Sequence, residues 1–288
     1  MKNSITDRLA YGLLRFLSHS RNRQNASQIS QDLEHDCYHH ARSQRTIRIL
    51  SRYADLKQRT ILEIGCGTGN LSIALAAQEA RRVVGIDMDN DRICAAERKA
   101  KAEGVSAVTH FECADFVRTF QPDQAFDIVI SENSMEHILN PAQCIRKVFD
   151  CLVPGGVMLA KFGPLWLSPW GAHMRGFTPI PWVHLIFPEH IVLRVRSDVY
   201  RPDNRVSRYE DVDGNLNRMT VAEFKRIAAD GGFRIRALRI NPILDDRWYA
   251  SLNNILNGVP LLRELSSHVL LAVIEKPIAG GHEHPVAS

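Results

Sequence analysis

The sequence lacks a long apolar run and a cysteine framework, and these absences exclude several classes of protein. No apolar stretch of about 18 residues occurs, so no membrane-spanning helix is expected. The six cysteines form no CxxC pair, which argues against a disulfide framework and favours a reducing, cytoplasmic compartment. The apolar run 9–17 contains Arg15 and is not followed by a small-residue cleavage site, so no secretory signal is expected.

The sequence also lacks a large excess of charge of one sign. The formal net charge is only +4 over 288 residues, which gives no reason to expect a nucleic-acid partner. A hydrophobic fraction of 45% is enough to bury a substantial core. The length therefore favours one large domain, or one domain with an insertion, and sets no oligomeric state.

The most informative part of what is present is the stretch 61–71, ILEIGCGTGNL. Its pattern predicts a buried strand, a turn with glycines at 65, 67 and 69, and the start of a helix. Glycine has no Cβ, so a ligand can approach the backbone of such a turn beside the unpaired N–H groups of the helix. The turn alone is common in nucleotide-binding folds. Here, however, Glu63 precedes it and a second predicted strand ends in Asp87.

From residue 59 onward, apolar strands alternate with helices, which predicts an α/β fold with a doubly wound, mostly parallel sheet. The predicted strands are 60–64, 82–87, 108–112, 126–130, 156–162, 233–240 and 267–275. The predicted helices are 69–78, 90–103, 141–151 and one that Thr220 caps with Glu223. The predicted organisation is an N-terminal helical region 1–58, a core 59–163, an inserted lid 164–215, a C-terminal part of the sheet 216–276, and a flexible tail 277–288.

Four motifs in this order resemble those of the class I S-adenosylmethionine-dependent methyltransferases. They are Glu63–Leu71, Val83–Asp87, Ala114–Phe116 and Phe126–Val129, with Leu152–Gly156 following. The resemblance implies a seven-stranded Rossmann-like sheet, S-adenosyl-L-methionine as methyl donor, and a small-molecule acceptor, as in quinone-biosynthesis enzymes. A dinucleotide-binding domain would share the acid at the end of the second strand, but it requires G-x-G-x-x-G at the turn.

The resemblance also assigns donor-binding residues. Asp87 would accept both ribose hydroxyls, Met88 would pack on the adenine, and Asp115 would accept from the adenine amine. Glu63 would help to hold the ammonium end of the donor. The other residues predicted for the donor site are Gly65, Cys66, Gly67, Gly69, Phe116 and Glu132.

Glu136 and His137 follow the fourth strand, at the sheet edge where open α/β folds bind ligands. Histidine titrates near neutrality, so His137 is a candidate base that takes a proton from a hydroxyl acceptor. The alternative is that both residues only brace the donor pocket. Some quinone O-methyltransferases hold a divalent cation with acids around this pair. Asn133 stands where another acid would be needed, so no metal is expected.

The segment 164–202 is rich in proline and tryptophan and is predicted to cover the acceptor. Trp170, Trp182 and His184 are the candidate acceptor contacts, and the alternative is that they form a small core of the segment itself. The leading functional hypothesis is methyl transfer to an oxygen atom of a small molecule. The alternatives are methylation of RNA or protein, and a non-catalytic binding protein that keeps the fold.

Overall fold

The computed structural model describes residues 5–18, 41–173, 178–199, 202, 205–212, 214–241, 255 and 258–278. Most of the linker between the two N-terminal helices, and the predicted tail beyond residue 278, lie outside these residues. None of the described helices is long and apolar enough to cross a membrane.

Seven strands form one sheet with helices on both faces. The strands are β1 (Thr60–Ile64), β2 (Arg82–Asp87), β3 (Thr109–Cys113), β4 (Phe126–Glu132), β5 (Leu152–Phe162), β6 (Arg234–Ile240) and β7 (Leu270–Glu275). The helices are α1 (Ile5–Leu17), α2 (41–50), α3 (Asn70–Ala76), α4 (Asn90–Ala102), α5 (Pro141–Cys151), α6 (Val183–Ile186), α7 (Glu189–Val199), α8 (Val221–Asp230) and α9 (Pro260–Ser266). Short 3₁₀ turns occupy Met135–His137 and Tyr209–Asp211.

The strand order is β3-β2-β1-β4-β5-β7-β6, and β7 runs antiparallel to both of its neighbours. This arrangement confirms the predicted fold class. Because β1, β2 and β4 are parallel neighbours, their carboxyl ends meet at one edge of the sheet. The functional site is therefore expected at that edge.

Local sequence signals set most of the element boundaries. Thr220 caps α8, since its hydroxyl accepts from the backbone N–H of Glu223 at 3.1 Å.

The fifth strand begins at Leu152 rather than at the predicted residue 156. Leu152 already pairs with Phe126, and the register then shifts at an irregularity before Val157 pairs with Ile128. The sequence between these two pairs resembles a turn, so the first part of the strand was not predicted.

The two faces of the sheet carry separate apolar cores. One lies between the sheet and helices α5 and α8, and the other between the sheet and helices α2 and α3. A third cluster joins α1, α6 and α7 to the segment 206–216. Leu14 of α1 and Leu216 of that segment are both fully or almost fully buried in it. The inserted segment thus has an apolar core of its own.

Candidate active site at the carboxyl edge of the sheet

The glycine turn after β1 adopts the left-handed backbone conformation that its sequence predicts. Gly65, Gly67 and Gly69 have φ values of 75°, 53° and 75°. A Cβ on Gly67 would have no heavy atom within 4 Å, so the turn leaves open space beside its backbone. A Cβ on Gly69 would instead meet Ala96 and Phe111 at 2.8–2.9 Å. Gly67 therefore keeps a ligand space open, whereas Gly69 permits close packing of the turn on α4 and β3.

Asp87 fastens the turn and ends β2. Its Oδ2 accepts from the N–H of Gly67 at 2.9 Å, and its Oδ1 accepts from the N–H of Asp89 at 3.0 Å. A carboxylate has about four lone-pair sites, so each oxygen retains one for a ligand hydroxyl. The carboxylate thus has the acceptor capacity that two ribose hydroxyls require.

A cavity of about 500 Å³ extends along this edge of the sheet. Met88 lines it and is 67% exposed, so its side chain is accessible to a ligand in the cavity. Asp115 also lines the cavity, and its Oδ1 accepts from the N–H groups of Val117 and Arg118. The complete lining is Ile64, Gly65, Ile86, Asp87, Met88, Arg92, Ala114, Asp115, Phe116, Val117, Arg118, Asn133, Ser134, His137, Ile138, Leu139, Asn140, Gln143, Gly214 and Asn215.

His137 lines the other part of the same cavity, and its ring is oriented by a distant loop. Nδ1 lies 2.8 Å from the backbone oxygen of Asn215. Because a carbonyl can only accept, Nδ1 carries the hydrogen and Nε2 of the neutral ring is left as an acceptor. Gly214 has φ +80°, and a Cβ there would lie 3.2 Å from the ring. A glycine at this position therefore allows the loop to approach the imidazole.

Glu136 does not share the role of its neighbour. Its side chain is buried, Oε1 accepts from the N–H of Gly163 at 3.2 Å, and Oε2 has no hydrogen-bond partner among the described residues. Burial raises the pKa of this carboxyl, while His137 and the N–H of Gly163 oppose the rise. Glu136 therefore braces the turn beneath His137.

Glu63 is buried below the glycine turn and does not line the cavity. The hydroxyl of Ser72 donates to its Oε2 at 2.5 Å, which ties β1 to α3. Burial raises the pKa of Glu63 to about 8, against the opposing effect of that hydrogen bond. The carboxyl of Glu63 therefore does not face the cavity. It supports the glycine turn through its hydrogen bond to α3.

The raised pKa of Glu63 makes stability depend on pH. Between pH 4.5 and 8 the folded protein keeps a proton that the unfolded chain loses, so stability falls as pH rises through this window. Each pKa unit corresponds to about 1.4 kcal/mol, so we expect a loss of several kcal/mol. Glu63→Gln cannot ionise, and its free energy of unfolding should fall less between pH 5 and 8. Urea titrations of both proteins at several pH values measure this, with the exposed Glu97→Gln as control. Parallel curves for wild type and Glu63→Gln would contradict the assignment.

Glu132 requires a correction, because the structure does not place it in the cavity lining. Its Oε1 accepts from Lys161 Nζ at 2.7 Å and from Arg42 Nε at 3.0 Å, and its Oε2 accepts from the hydroxyl of Thr46 at 3.1 Å. Burial alone would raise the pKa of Glu132, but the two cations outweigh it and hold that pKa below its usual range. Glu132 joins α2 to the sheet.

Cys66 also faces away from the cavity. Its side chain is buried among Phe111 and residues of α4, and burial raises the pKa of its thiol. Its backbone N–H donates to the oxygen of Ile86 at 2.9 Å and so helps to shape the turn. Phe116 is almost fully buried beside Phe120, with ring centroids 5.9 Å apart, so only its edge reaches the lining.

The predicted acceptor contacts in the insertion are a second correction. Nε2 of His184 lies 2.6 Å from the oxygen of Trp166, and the His184 side chain is buried. The indole of Trp182 donates to the oxygen of Leu167 at 3.0 Å. None of Trp170, Trp182 and His184 lines the cavity. The alternative, that these residues serve a core of the inserted segment, describes the structure better.

The insertion reaches the cavity through residues that the sequence did not single out. Gly214 and Asn215 line it, and the ring centroid of His173 lies 5.2 Å from that of His137. Asn217 fixes the same loop, because its amide donates to the oxygens of Met135 and Ile138 at 2.6 and 2.8 Å. A glycine and two asparagines in a polar stretch indicate a turn, but nothing in the sequence pairs them with His137.

Comparison with known proteins assigns this architecture to a class. Residues 55–163 match the family model described as a methyltransferase domain. Phosphoethanolamine N-methyltransferase 1 of Arabidopsis thaliana is 34% identical over 99 residues, which cover 34% of this chain and 20% of the relative. Ubiquinone biosynthesis O-methyltransferase of Pseudomonas fluorescens is 34% identical over 102 residues, covering 35% and 43%. In both cases the chain matches less than half of the relative's length.

The fold extends further than the sequence similarity. The structure of magnesium protoporphyrin IX methyltransferase from Synechocystis, which contains bound S-adenosylhomocysteine, matches with a TM-score of 0.53. It covers 95% of both chains at 16% identity. Residues 55–163 thus have the sequence of a methyltransferase domain, within a sheet of the S-adenosylmethionine-dependent methyltransferase fold, and S-adenosylmethionine is the cofactor that this match implies. The open space at Gly67, the acceptor capacity of Asp87 and the exposed Met88 all fit that cofactor.

Proposed function

We propose that the chain transfers the methyl group of S-adenosylmethionine to an oxygen atom of a small molecule, with His137 as the base. The observation that supports this most strongly is the tautomer of His137, fixed by Asn215 on the same cavity that Asp87 and Asp115 line. The cofactor supplies an electrophilic methyl group on a positively charged sulfur. The protein has to align the acceptor and remove its proton.

The donor is held at the β1–β2 side of the cavity in this account. Asp87 accepts from both ribose hydroxyls, and Met88 covers the adenine. Oδ2 of Asp115 would accept from the adenine amine, because Oδ1 is engaged with the backbone whereas Oδ2 lies 3.9 Å from Arg118 Nε, beyond hydrogen-bond distance. Gly65 and Gly67 would leave room for the amino-acid arm, and the sulfur would then lie on the side of the cavity that His137 lines.

The tautomer favours oxygen over nitrogen as the acceptor atom. A hydroxyl oxygen attacks the methyl carbon while the carbon–sulfur bond breaks and its electron pair stays on sulfur. The hydroxyl proton passes to Nε2 of His137 as the new carbon–oxygen bond forms. A neutral amine attacks with its own lone pair and needs no base for that step. The relatives include both N- and O-methyltransferases by name, so the argument for oxygen comes from His137.

His137→Ala is expected to lower kcat by about 10² to 10⁴, the usual contribution of a general base. Donor affinity should stay within about twofold, since the imidazole contacts the acceptor side of the cavity. The loss should shrink as pH is raised, because an ionised acceptor hydroxyl no longer needs a base. Steady-state kinetics over a pH series with calorimetry of donor binding measure both effects.

His110→Ala is the matched control, because His110 is an exposed histidine on β3 outside the cavity lining. It should retain wild-type kcat at every pH. If His137→Ala also keeps wild-type kcat, or if its loss is the same at all pH values, His137 is only part of the scaffold. If His137→Ala methylates an amine acceptor at the wild-type rate, the acceptor atom would be nitrogen rather than oxygen.

The acceptor class is tested by following labelled methyl groups. The protein is incubated with methyl-labelled S-adenosylmethionine and separate metabolite, RNA and protein fractions. We expect label in the metabolite fraction only. The labelled product should resist treatment with mild base, as a methyl ether does. Label in RNA or protein would favour a macromolecular acceptor instead. No label in any fraction, with donor binding intact, would favour a binding protein that keeps the fold.

A further inference from the structure

Helix α1 has two apolar faces, and among the described residues only one of them packs against the rest of the protein. Leu14 is fully buried, and Ala10 and Tyr11 lie against the same cluster, which includes α7. The phenol of Tyr11 donates to Asp198 of α7 at 2.7 Å. This inward face is sufficient to hold α1 in place, so the other apolar residues of the helix are not needed for packing.

The outward face carries a continuous apolar stripe, formed by Ile5, Leu9, Leu13 and Phe16. These side chains are 79%, 68%, 54% and 85% exposed. Their spacing of three or four residues places them on one side of a 13-residue helix, about 20 Å long. Single exposed apolar residues are ordinary, but a contiguous exposed stripe marks an interaction surface.

Arginines border this stripe along one edge. Arg8 and Arg15 of α1 are exposed, and Arg194 of α7 stacks on the ring of Tyr11 with 4.5 Å between its guanidinium carbon and the ring centroid. Asp198 accepts from Tyr11 and lies 3.9 Å from the Nε of Arg194, and Asp7 lies 3.5 Å from His190. Arg15 donates to the neutral hydroxyl of Tyr11 at 2.9 Å and keeps its charge. Arg8 and Arg15 therefore supply the positive charge along the border of the stripe.

We infer that α1 is a surface anchor that lies in the headgroup region of an anionic phospholipid bilayer. The apolar stripe enters the boundary of the acyl chains, and Arg8 and Arg15 remain among the lipid phosphates. An amphipathic helix with aromatic and leucine residues on one face and arginines beside them has the composition that this position requires. The long arginine stems can cover apolar surface while their charged ends stay hydrated.

The basic border favours a bilayer over a second copy of the chain. An isologous contact through the stripe would bring Arg8 and Arg15 from both copies to one interface. Anionic headgroups would instead neutralise them, and each basic residue near such a surface contributes favourably. The region 1–24 has five basic residues and a single acid, Asp7, so its charge is consistent with this occupant.

Vesicle flotation of the full-length protein tests the inference independently of methyl transfer. The wild-type protein should float with vesicles in which about a third of the lipid is phosphatidylglycerol, and much less with phosphatidylcholine alone. Leu9→Ser/Phe16→Ser should reduce the vesicle partition coefficient at least about tenfold, because two large apolar side chains no longer enter the bilayer. Arg8→Gln/Arg15→Gln should abolish the preference for the anionic vesicles.

Leu261→Ser is the matched control, since Leu261 is 67% exposed on α9, and this variant should float like the wild type. Circular dichroism and unchanged thermal unfolding confirm that each variant is folded. Wild-type protein that stays in solution with both vesicle types would overturn the proposal. So would a dimer, seen by light scattering, that Leu9→Ser/Phe16→Ser converts to monomer, because the stripe would then bind a second copy.

Discussion

Gly67→Val is expected to abolish donor binding while leaving the protein folded. Gly67 has φ +53°, its N–H is bonded to the carboxylate that we propose to hold the ribose, and a side chain there would enter the open space beside the turn. A branched side chain in the space left open at this position would exclude the cofactor. The left-handed backbone also disfavours valine, at a cost of about 1–3 kcal/mol of stability. Calorimetry should detect no binding at donor concentrations about a hundredfold above the wild-type Kd.

Gly104→Val separates the two effects. Gly104 has φ +71° at the end of α4, and a Cβ there would also have no heavy atom within 4 Å. This variant should lose similar stability from backbone strain but keep wild-type donor affinity, because Gly104 lies between α4 and β3, at the edge of the sheet opposite the glycine turn and Asp87. If both variants bind the donor equally, whether well or badly, the open space at Gly67 is not the donor site.

Asp87→Ala is the second large effect. The change would remove the two charge-assisted hydrogen bonds that we propose to the ribose, and it releases the N–H groups of Gly67 and Asp89 that the carboxylate now holds. Each hydrogen bond to a charged group contributes about 1.5–3 kcal/mol, so donor affinity should fall at least about tenfold. Asp87→Asn keeps one acceptor oxygen, so its donor affinity should lie between those of the wild type and Asp87→Ala. Donor titrations by calorimetry give the three affinities.

Asp150→Ala, an exposed acid on α5, is the control for general charge effects and should bind like the wild type. Unchanged affinity in a folded Asp87→Ala variant would remove Asp87 from the donor site. A loss of affinity accompanied by unfolding would be distinguished by circular dichroism. In that case Asp87→Asn becomes the informative variant.

The parts of the fold that short-range signals determine were predictable. The strand 60–64, the acid that ends β2, and the Thr220 cap depend on residues close together in sequence, and each lies where the pattern predicted it. The family resemblance also predicted the fold class and the cofactor correctly. The donor-binding roles of individual residues remain predictions.

The acceptor side was harder to predict because its contacts join residues far apart in sequence. The ring of His137 is oriented by Asn215, and Glu132 is neutralised by Lys161 and Arg42. Composition also cannot say which way an aromatic side chain faces. Tryptophan and histidine in an insertion fit an acceptor lid and a small core equally well. His184 belongs to the core, because its imidazole bonds the backbone of Trp166.

A crystal structure with S-adenosylhomocysteine tests the central claim most directly. We predict density in the cavity of about 500 Å³, with the ribose hydroxyls on Asp87, the adenine between Met88 and Asp115, and the sulfur on the side of His137. Nε2 of His137 should face the space beyond the sulfur where an acceptor oxygen can align. A ligand bound outside this cavity, or a sulfur directed away from His137, would contradict the proposed site and its base.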